Sequence, residues 1–324
     1  MGFEAAVEAV KQGDLETVRT FVAADAAIVH ARDAEEHALL DHALWALLVG
    51  DLSRPPTIAP DEDGVRMGVV RFLLDAGSDV IGASHHGWTP LHTALYENHV
   101  PLTELLLARG ADPTTEVYGS GGTPLLQALF WGHAEAADAL AQQNITPRNL
   151  RVAAGLGRSD LIDALVLEDG GLDERAGVAR GYYRPHEGFP AWTPGDSRRE
   201  ILDEALCYAA RNGRAAMLPR LIAMGAEVDR DVYGGTPLHW VAGQGRVEIC
   251  RFLLVEGADV NRQATFGSQH GVTPLHCAAW MDRVDVAELL LAHGADPSVR
   301  DETHQGTPLD WANHMQAPGV AALL

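Results

Sequence analysis

The tripeptide Thr-Pro-Leu recurs along the chain at a nearly constant interval, and this recurrence constrains the fold more than any other feature. It begins at residues 89, 123, 236, 273 and 307, so successive copies lie 34, 113, 37 and 34 residues apart. A second pattern, Leu-Leu-x-x-Gly-Ala-Asp or a close variant, keeps the same interval, with its glycines at 77, 110, 225, 257 and 294. Two patterns that share one period of about 33 residues indicate a stack of repeated units.

Each repeat predicts a pair of helices. Thr is suited to cap a first helix because its hydroxyl accepts an N–H of the first turn, and Pro fits the next position because it has no N–H to satisfy. The Leu-Leu segment predicts a second helix that ends at a glycine in the left-handed conformation. Because one such unit cannot bury its own apolar face, neighbouring units have to stack.

The chain resembles the ankyrin-repeat family, most plainly in Thr236-Pro237-Leu238-His239 and in Thr273-Pro274-Leu275-His276-Cys277-Ala278-Ala279. The resemblance implies an all-α solenoid of helix-turn-helix units with short β-hairpin fingers. It also implies that the His ring bonds back to the Thr and ties neighbouring repeats together. In the family pattern, the two residues after the paired small positions of each first helix project into a concave groove, and the family works mainly through protein–protein contact.

Extending the pattern outward predicts about nine units in one array over residues 1–324, with a long insertion on the finger side at 169–199. The approximate bounds of the units are 3–34, 36–81, 84–116, 118–146, 147–168, 200–230, 231–262, 268–301 and 302–324. Residues 181–195 of the insertion contain four aromatic residues, a His, an Arg and a Glu, which is unlike a flexible linker. The insertion is a flap over the groove or a loop that covers a weak repeat junction, with a disordered segment as the least favoured alternative.

The candidate binding residues come from the groove positions, the fingers and the insertion, where aromatic rings are typical anchors of partners. They are Trp45, Trp88, Tyr96, Glu97, Phe130, Trp131, Tyr182, Tyr183, Arg184, His186, Trp192, Arg211, Trp280 and Met281. The expected anchors are Tyr96, Phe130, Trp131 and Trp280, oriented by Glu97 and Arg211. Packing beneath adjacent fingers is the alternative for Trp45 and Trp131, and the glycines at 155 and 243 are expected to leave space in the middle of the groove.

The most favoured function is recognition of a protein or peptide partner on the concave groove. The chain has 45 Asp and Glu against 24 Lys and Arg, a net charge of −21, which favours a neutral or basic partner. The same charge argues against binding a nucleic-acid backbone, and no run of about 18 apolar residues points to a membrane. The alternative is a small-molecule or catalytic pocket formed by the groove, with 169–199 as its flap.

The sequence leans against an enzyme, because it contains no nucleophile elbow, no phosphate-binding loop and no metal-ligand spacing of His or Cys. We therefore expect no cofactor and no metal. General acid–base chemistry needs no linear motif, so a site built from Glu97, Tyr183, His186, Glu187 and Arg211 stays open. The absence of a secretory signal pattern predicts a cytoplasmic protein, and the single lysine among many arginines is a bacterial-like composition.

Overall fold

The structure, a computed structural model, describes residues 2–48, 64–82, 88–116, 122–142, 149–180, 194–232, 234–266 and 269–324. Within these ranges eighteen α-helices follow one another in pairs. They are α1 (Gly2–Gln12), α2 (Leu15–Ala24), α3 (Leu39–Leu48), α4 (Val65–Asp75), α5 (Pro90–Tyr96), α6 (Val100–Ala108), α7 (Pro124–Trp131), α8 (Ala134–Ala141), α9 (Leu150–Gly155), α10 (Ser159–Asp163), α11 (Arg198–Arg211), α12 (Leu218–Ala223), α13 (Pro237–Gln244), α14 (Val247–Val255), α15 (Pro274–Trp280), α16 (Val284–Ala292), α17 (Pro308–His314) and α18 (Pro318–Leu323). Odd-numbered helices are the predicted first helices and even-numbered ones the predicted second helices.

The chain divides into two compact units. In the first unit α1 packs on α3 and α3 on α5, and in the second unit α9, α11, α13, α15 and α17 each pack on the next. This stacking of first helices confirms the predicted all-α repeat fold, while the bounds of nine units in one array over 1–324 stay predictions. The first unit comprises Met1–Tyr118, Gly122–Ala128 and Glu135–Ile145, and the second comprises Gly119–Gly121, Leu129–Ala134 and Thr146–Leu324.

The Thr-Pro-Leu-His segments form the helix starts that the sequence predicts. Thr89, Thr236 and Thr273 each precede a helix whose first residue is Pro. The hydroxyl oxygen of each Thr lies 2.8 Å from Nδ1 of the histidine three residues later. A capping hydroxyl and a proline at the first helical position together explain why each first helix begins where it does.

The same histidines link each repeat to the next. Nε2 of His92, His239 and His276 lies 3.2, 2.9 and 3.1 Å from the carbonyl oxygens of Gly122, Val272 and Gly306, respectively. Because a carbonyl oxygen only accepts, Nε2 carries the proton and the Nδ1 atom accepts from the threonine. This bond, which the family resemblance implies, is confirmed at all three positions.

One hairpin stands between the seventh and eighth helix pairs. Its strands, β1 (Ala264–Phe266) and β2 (Gln269–Val272), pair antiparallel, with Ala264 opposite Val272. The carbonyl oxygen of Val272 is the acceptor of His239. The hairpin therefore sits directly against the start of α13.

A buried ion pair and a hydrogen bond of Arg180 connect the residues on either side of 181–193, within the predicted insertion. Arg180 pairs with Glu204 of α11 and donates to the carbonyl oxygen of Gly195, across the segment 181–193. Arg151 of α9 lies 3.6 Å from the other carboxylate oxygen of Glu204. Burial raises the pKa of Glu204 to about 7. Residues 181–193 lie outside the described residues, and with them the candidate binding residues Tyr182, Tyr183, Arg184, His186 and Trp192.

The buried histidines make the stability of the fold depend on pH. Burial lowers the pKa of His239 to about 4, below the ordinary value of 6.5. The unfolded chain therefore binds more protons than the folded one as the pH falls from about 6.5 to 4, and the free energy of unfolding falls with it. Between pH 7 and pH 5, this histidine is expected to lower the free energy of unfolding by about 2 kcal/mol. Urea unfolding of the parent and of His239→Gln at both pH values measures it.

On the same change of pH, the free energy of unfolding of His239→Gln is expected to fall by about 2 kcal/mol less than that of the parent. His314→Gln, at an exposed residue of α17, is the matched control and keeps the parent's pH dependence. An identical pH dependence in the parent and in His239→Gln would show that this ring is not held neutral by burial.

Candidate functional site

A buried arginine surrounded by aromatic rings lies in the second unit. The guanidinium carbon of Arg211 lies 3.8 Å from the ring centre of Trp240, 4.7 Å from that of Phe130 and 5.1 Å from that of Tyr208. Trp131 and Phe266 pack against the same group. We call the set the arginine cluster: Phe130, Trp131, Cys207, Tyr208, Arg211, Trp240 and Phe266.

The guanidinium of Arg211 is held by ring faces and uncharged acceptors, although its buried Nε has no hydrogen-bond partner within the described part of the chain. Its Nη1 donates to the carbonyl oxygen of Phe130 at 2.8 Å and its Nη2 to Sγ of Cys207 at 3.4 Å. Burial raises the pKa of the Cys207 thiol, which favours its neutral form. Among the described residues, no carboxylate forms an ion pair with Arg211. Contact with ring faces, worth about 2 kcal/mol for a desolvated cation, therefore offsets part of the cost of burying the charge.

Side chains from α11, α13 and the turns after them cap the end of α7. The last carbonyl groups of a helix have no donor within the helix and need one from elsewhere. Here every carbonyl from 129 to 132 accepts from a side chain more than 80 residues further along the chain. The pairs are Asn212 with Leu129 at 2.7 Å, Arg211 with Phe130 at 2.8 Å, Gln244 with Trp131 at 2.9 Å and Arg246 with Gly132 at 3.0 Å.

This capping corrects two of the expected binding residues. Phe130 is 1% exposed and Arg211 is 0% exposed, so neither presents a surface to a partner. Trp131 is half-buried, with its ring centre 5.3 Å from that of Phe130 and 6.4 Å from that of Trp240. Gly155 leaves no space either, because an added Cβ there would lie 3.1 Å from Cδ2 of Leu129. The predicted anchor Phe130 and the predicted orienting residue Arg211 are packed inside the second unit instead.

In the first unit, a tryptophan with two histidines forms a separate exposed group. Trp45, at 37% exposure, has its ring centre 4.4 Å from that of His37 and 5.6 Å from that of His42. Nε2 of His42 lies 2.9 Å from a carboxylate oxygen of Asp33. Trp45 is therefore a partly open ring supported by two imidazoles.

Three further candidates of the first unit lie close together. The rings of Trp88 and Tyr96 are 5.4 Å apart, and Glu97 follows Tyr96 as the C-cap of α5. Burial raises the pKa of Glu97 to about 7, and one of its carboxylate oxygens has no hydrogen-bond partner. Glu97 and Arg211 belong to different units, and the other members of the acid–base set, Tyr183, His186 and Glu187, lie outside the described residues. That catalytic set stays a sequence hypothesis.

Of the remaining two candidates, Trp280 lines an open pocket of about 560 Å³ in the second unit, and Met281 follows it as the C-cap of α15. Each is 37% exposed. We call this cavity the Trp280 pocket; its lining includes Trp280, His304, Asp310, Trp311, His314 and Met315. The rings of Trp280 and Trp311 stand edge to face, 5.1 Å apart. It is an apolar recess with a polar rim, an arrangement typical of a binding site.

A buried carboxylate fixes the inner ring of the Trp280 pocket. Nε1 of Trp311 donates to Oδ2 of Asp301 at 3.0 Å, and Asp301 is fully buried. The N–H groups of His304 and Gly306 donate to the same carboxylate at 2.6 and 2.9 Å. Burial acts to raise the pKa of Asp301, but these hydrogen bonds outweigh it and lower the pKa. Asp301 is therefore ionised at neutral pH, and the pocket is preorganised.

Sequence reasoning missed three of the rings that matter most, Tyr208, Trp240 and Trp311. The expected groove positions come directly after the paired small positions of each first helix. Tyr208, Trp240 and Trp311 come directly before those positions. Each stands directly before a fully buried alanine or valine, as Trp311 does before Ala312. A ring at that place in three repeats is the signal that could have found them.

Two other classes of site have no support in the described part of the chain. Among residues outside the undescribed gaps, no group of three or more His, Cys, Asp or Glu side chains is placed to hold a metal ion. Nor does any helix in the described ranges combine the length and the apolar character that crossing a membrane requires.

Comparison with known proteins identifies the repeat. A family model that describes three copies of the ankyrin repeat matches residues 63–151 and 206–301, together more than half of the chain. The chain belongs to the ankyrin-repeat family. The histidine bonds and stacked first helices described above are thus those of ankyrin repeats.

Curated relatives share parts of this ankyrin chain at moderate identity. The ankyrin repeat and KH domain-containing protein mask-1 of Caenorhabditis elegans is 26% identical over 203 residues, 61% of this chain and 7% of the relative. The 2-5A-dependent ribonuclease of Mus musculus is 34% identical over 91 residues, 27% of this chain and 12% of the relative. An ankyrin repeat protein of fowlpox virus is 25% identical over 205 residues, 63% of this chain and 36% of the relative. The matches thus span from 7% to 36% of the length of these three relatives.

The capping of α7 leaves no room for a side chain at Gly132. Its φ is +79°, and an added Cβ would overlap the carbonyl oxygen of Arg211, a backbone atom that cannot turn away. Gly132→Ala is therefore expected to lower the free energy of unfolding by about 3 kcal/mol, from left-handed strain and overpacking together. Urea unfolding measures the loss.

Gly245→Ala is the matched control for that prediction. Its φ is +75°, but the nearest atom to an added Cβ is Cδ of the flexible Arg283 side chain, at 3.1 Å. The free energy of unfolding of this variant is expected to fall by only about 1 kcal/mol, from backbone strain. Equal losses in the two variants would contradict the close approach of Arg211 to the end of α7.

Proposed function

We propose that the chain binds a protein or peptide partner, and that the Trp280 pocket with Met281 is the centre of its recognition surface. Ankyrin repeats are generally protein–protein interaction modules. The observation that carries the proposal is the 37% exposure of Trp280, a large apolar side chain in the lining of a 560 Å³ pocket, with the equally exposed Met281 next to it in the sequence. Exposed apolar patches around a recess are typical of binding sites, and tryptophan is among the residues that most often anchor a partner.

Charge favours a partner that is neutral or basic. The whole chain has a net charge of −21. Residues 268–324, which include the Trp280 pocket, contain seven Asp and Glu but only two Arg. Complementary charge raises the rate of association and disfavours acidic partners, including nucleic-acid backbones, whose phosphates need Lys or Arg.

Binding or catalysis in a central pocket beneath 169–199 is less favoured. Two residues named for it, Phe130 and Arg211, are buried in the arginine cluster, where they contact Trp240 and the end of α7. Its other catalytic candidates in the insertion lie outside the described residues. No contact among the described residues favours that alternative.

The recognition surface can be tested by peptide selection. Random peptides displayed on phage are selected against the folded full chain, and the affinities of the enriched peptides are measured for the parent and for Trp280→Ala. Loss of a central aromatic anchor is expected to cost about 2 kcal/mol, which is a roughly thirtyfold weaker binding.

Val255→Ala is the matched control, because Val255 is an exposed apolar residue at the end of α14, away from the Trp280 pocket lining. It is expected to leave affinity unchanged. Circular dichroism and urea unfolding confirm that both variants are folded. Enriched peptides that bind the parent and Trp280→Ala with equal affinity would rule out Trp280 as the centre of the surface.

A further inference from the structure

The arginine cluster and the Trp280 pocket use equivalent positions of the repeat. Arg211 and Trp280 each end a first helix, two residues before a residue of positive φ, namely Gly213 and Asp282. In the next repeat, each meets a tryptophan that is the fifth residue from the threonine of Thr-Pro-Leu. Arg211 meets Trp240 in this way, and Trp280 meets Trp311.

The two sites differ in whether a cation is present. In the arginine cluster the guanidinium of Arg211 lies on the ring of Trp240, with Phe130 and Tyr208 around it. At the Trp280 pocket a ring takes the place of the guanidinium, and one part of it faces solvent. Among the described residues, none places a guanidinium or ammonium group over Trp280 or Trp311. The chain thus buries a cation at one site and leaves an aromatic recess open at its counterpart.

Electrostatics around the open recess favour a positive charge. Trp311 donates its indole N–H to the ionised Asp301, which draws negative charge into the ring and strengthens its attraction for a cation. Asp310 lies on the rim with an exposed side chain, although Arg300 stands 3.7 Å from it and partly neutralises it. The excess of acidic residues in 268–324 adds to the same field.

We propose that the Trp280 pocket binds an arginine side chain of the partner, with its guanidinium on the exposed face of Trp280. This inference rests on the proposed protein-binding function and names the anchor that the partner supplies. Arginine fits better than lysine because its planar group stacks on an indole and still donates from its edge. His304, His314 and Asp310 line the same pocket and carry the polar groups available to such an edge.

The experiment uses the full chain labelled with ¹⁵N-tryptophan, whose seven indole signals report on each ring. The probe is a capped pentapeptide, Gly-Gly-Arg-Gly-Gly, compared with the same peptide carrying citrulline, which has arginine's shape without its charge, or leucine. We expect the Trp280 signal to move saturably with the arginine peptide. The citrulline peptide is expected to bind about two- to fivefold more weakly, the size of a solvent-exposed cation–π contact.

Two variants locate the binding. Trp280→Ala is expected to abolish the movement of the Trp311 signal. Val255→Ala is the matched control, since Val255 is an exposed apolar residue outside the pocket lining, and it leaves the affinity unchanged. Unchanged positions of the indole signals from rings that do not contact the substituted residue show that each variant is folded.

The outcomes separate this inference from the function on which it rests. Equal or tighter binding of the leucine or citrulline peptide at Trp280 would overturn the arginine assignment and leave an apolar anchor at the same place. No movement of Trp280 with any peptide would overturn it as well. Neither result decides the outcome of the phage selection. That experiment tests the protein-binding surface separately, by comparing peptide affinities for the parent and for Trp280→Ala.

Discussion

The guanidinium of Arg211 is the group on which the second unit most depends. It donates to the carbonyl oxygen of Phe130 and lies on the ring of Trp240, so it joins the end of α7 to both α11 and α13. A buried cation without a carboxylate partner is tolerated only where other groups replace water, and here rings and a carbonyl do so. Removing any of these groups would leave a charge or a helix end unsatisfied inside the unit.

That constraint decides which aromatic residues remain available for recognition. The capping bonds draw Phe130 inward and leave Trp131 half-buried, so both contribute to packing. Trp280 is placed by the same repeat geometry, but it meets Trp311, whose ring is already held by Asp301. The same pair of repeat positions therefore forms a closed site, the arginine cluster, and an open site, the Trp280 pocket. The open site is the one suited to a partner.

Much of the fold could be predicted from the sequence, because it depends on residues that lie close together in the chain. Thr and Pro act within a few residues of one another, so Thr236 and Pro237 predicted a helix start, whereas the bond of His239 to the next repeat was implied by the ankyrin resemblance. The candidate site was less readable, because the bond from Arg211 to Phe130 joins residues 81 apart and that from Gln244 to Trp131 joins residues 113 apart. A repeat pattern predicts which side of a helix a residue occupies. It does not predict which helix end another repeat will cap.

Hydroxyl-radical footprinting of the free full chain, read by mass spectrometry, tests most directly that the arginine cluster is closed and the Trp280 pocket open. Both sites contain tryptophan, so labelling rates are compared between side chains of equal reactivity. The structure predicts that Trp280 is modified far faster than Trp240, in line with exposures of 37% and 4%, and that Phe130 is protected. Modification of Trp240 and Phe130 as fast as that of Trp280 would contradict the account.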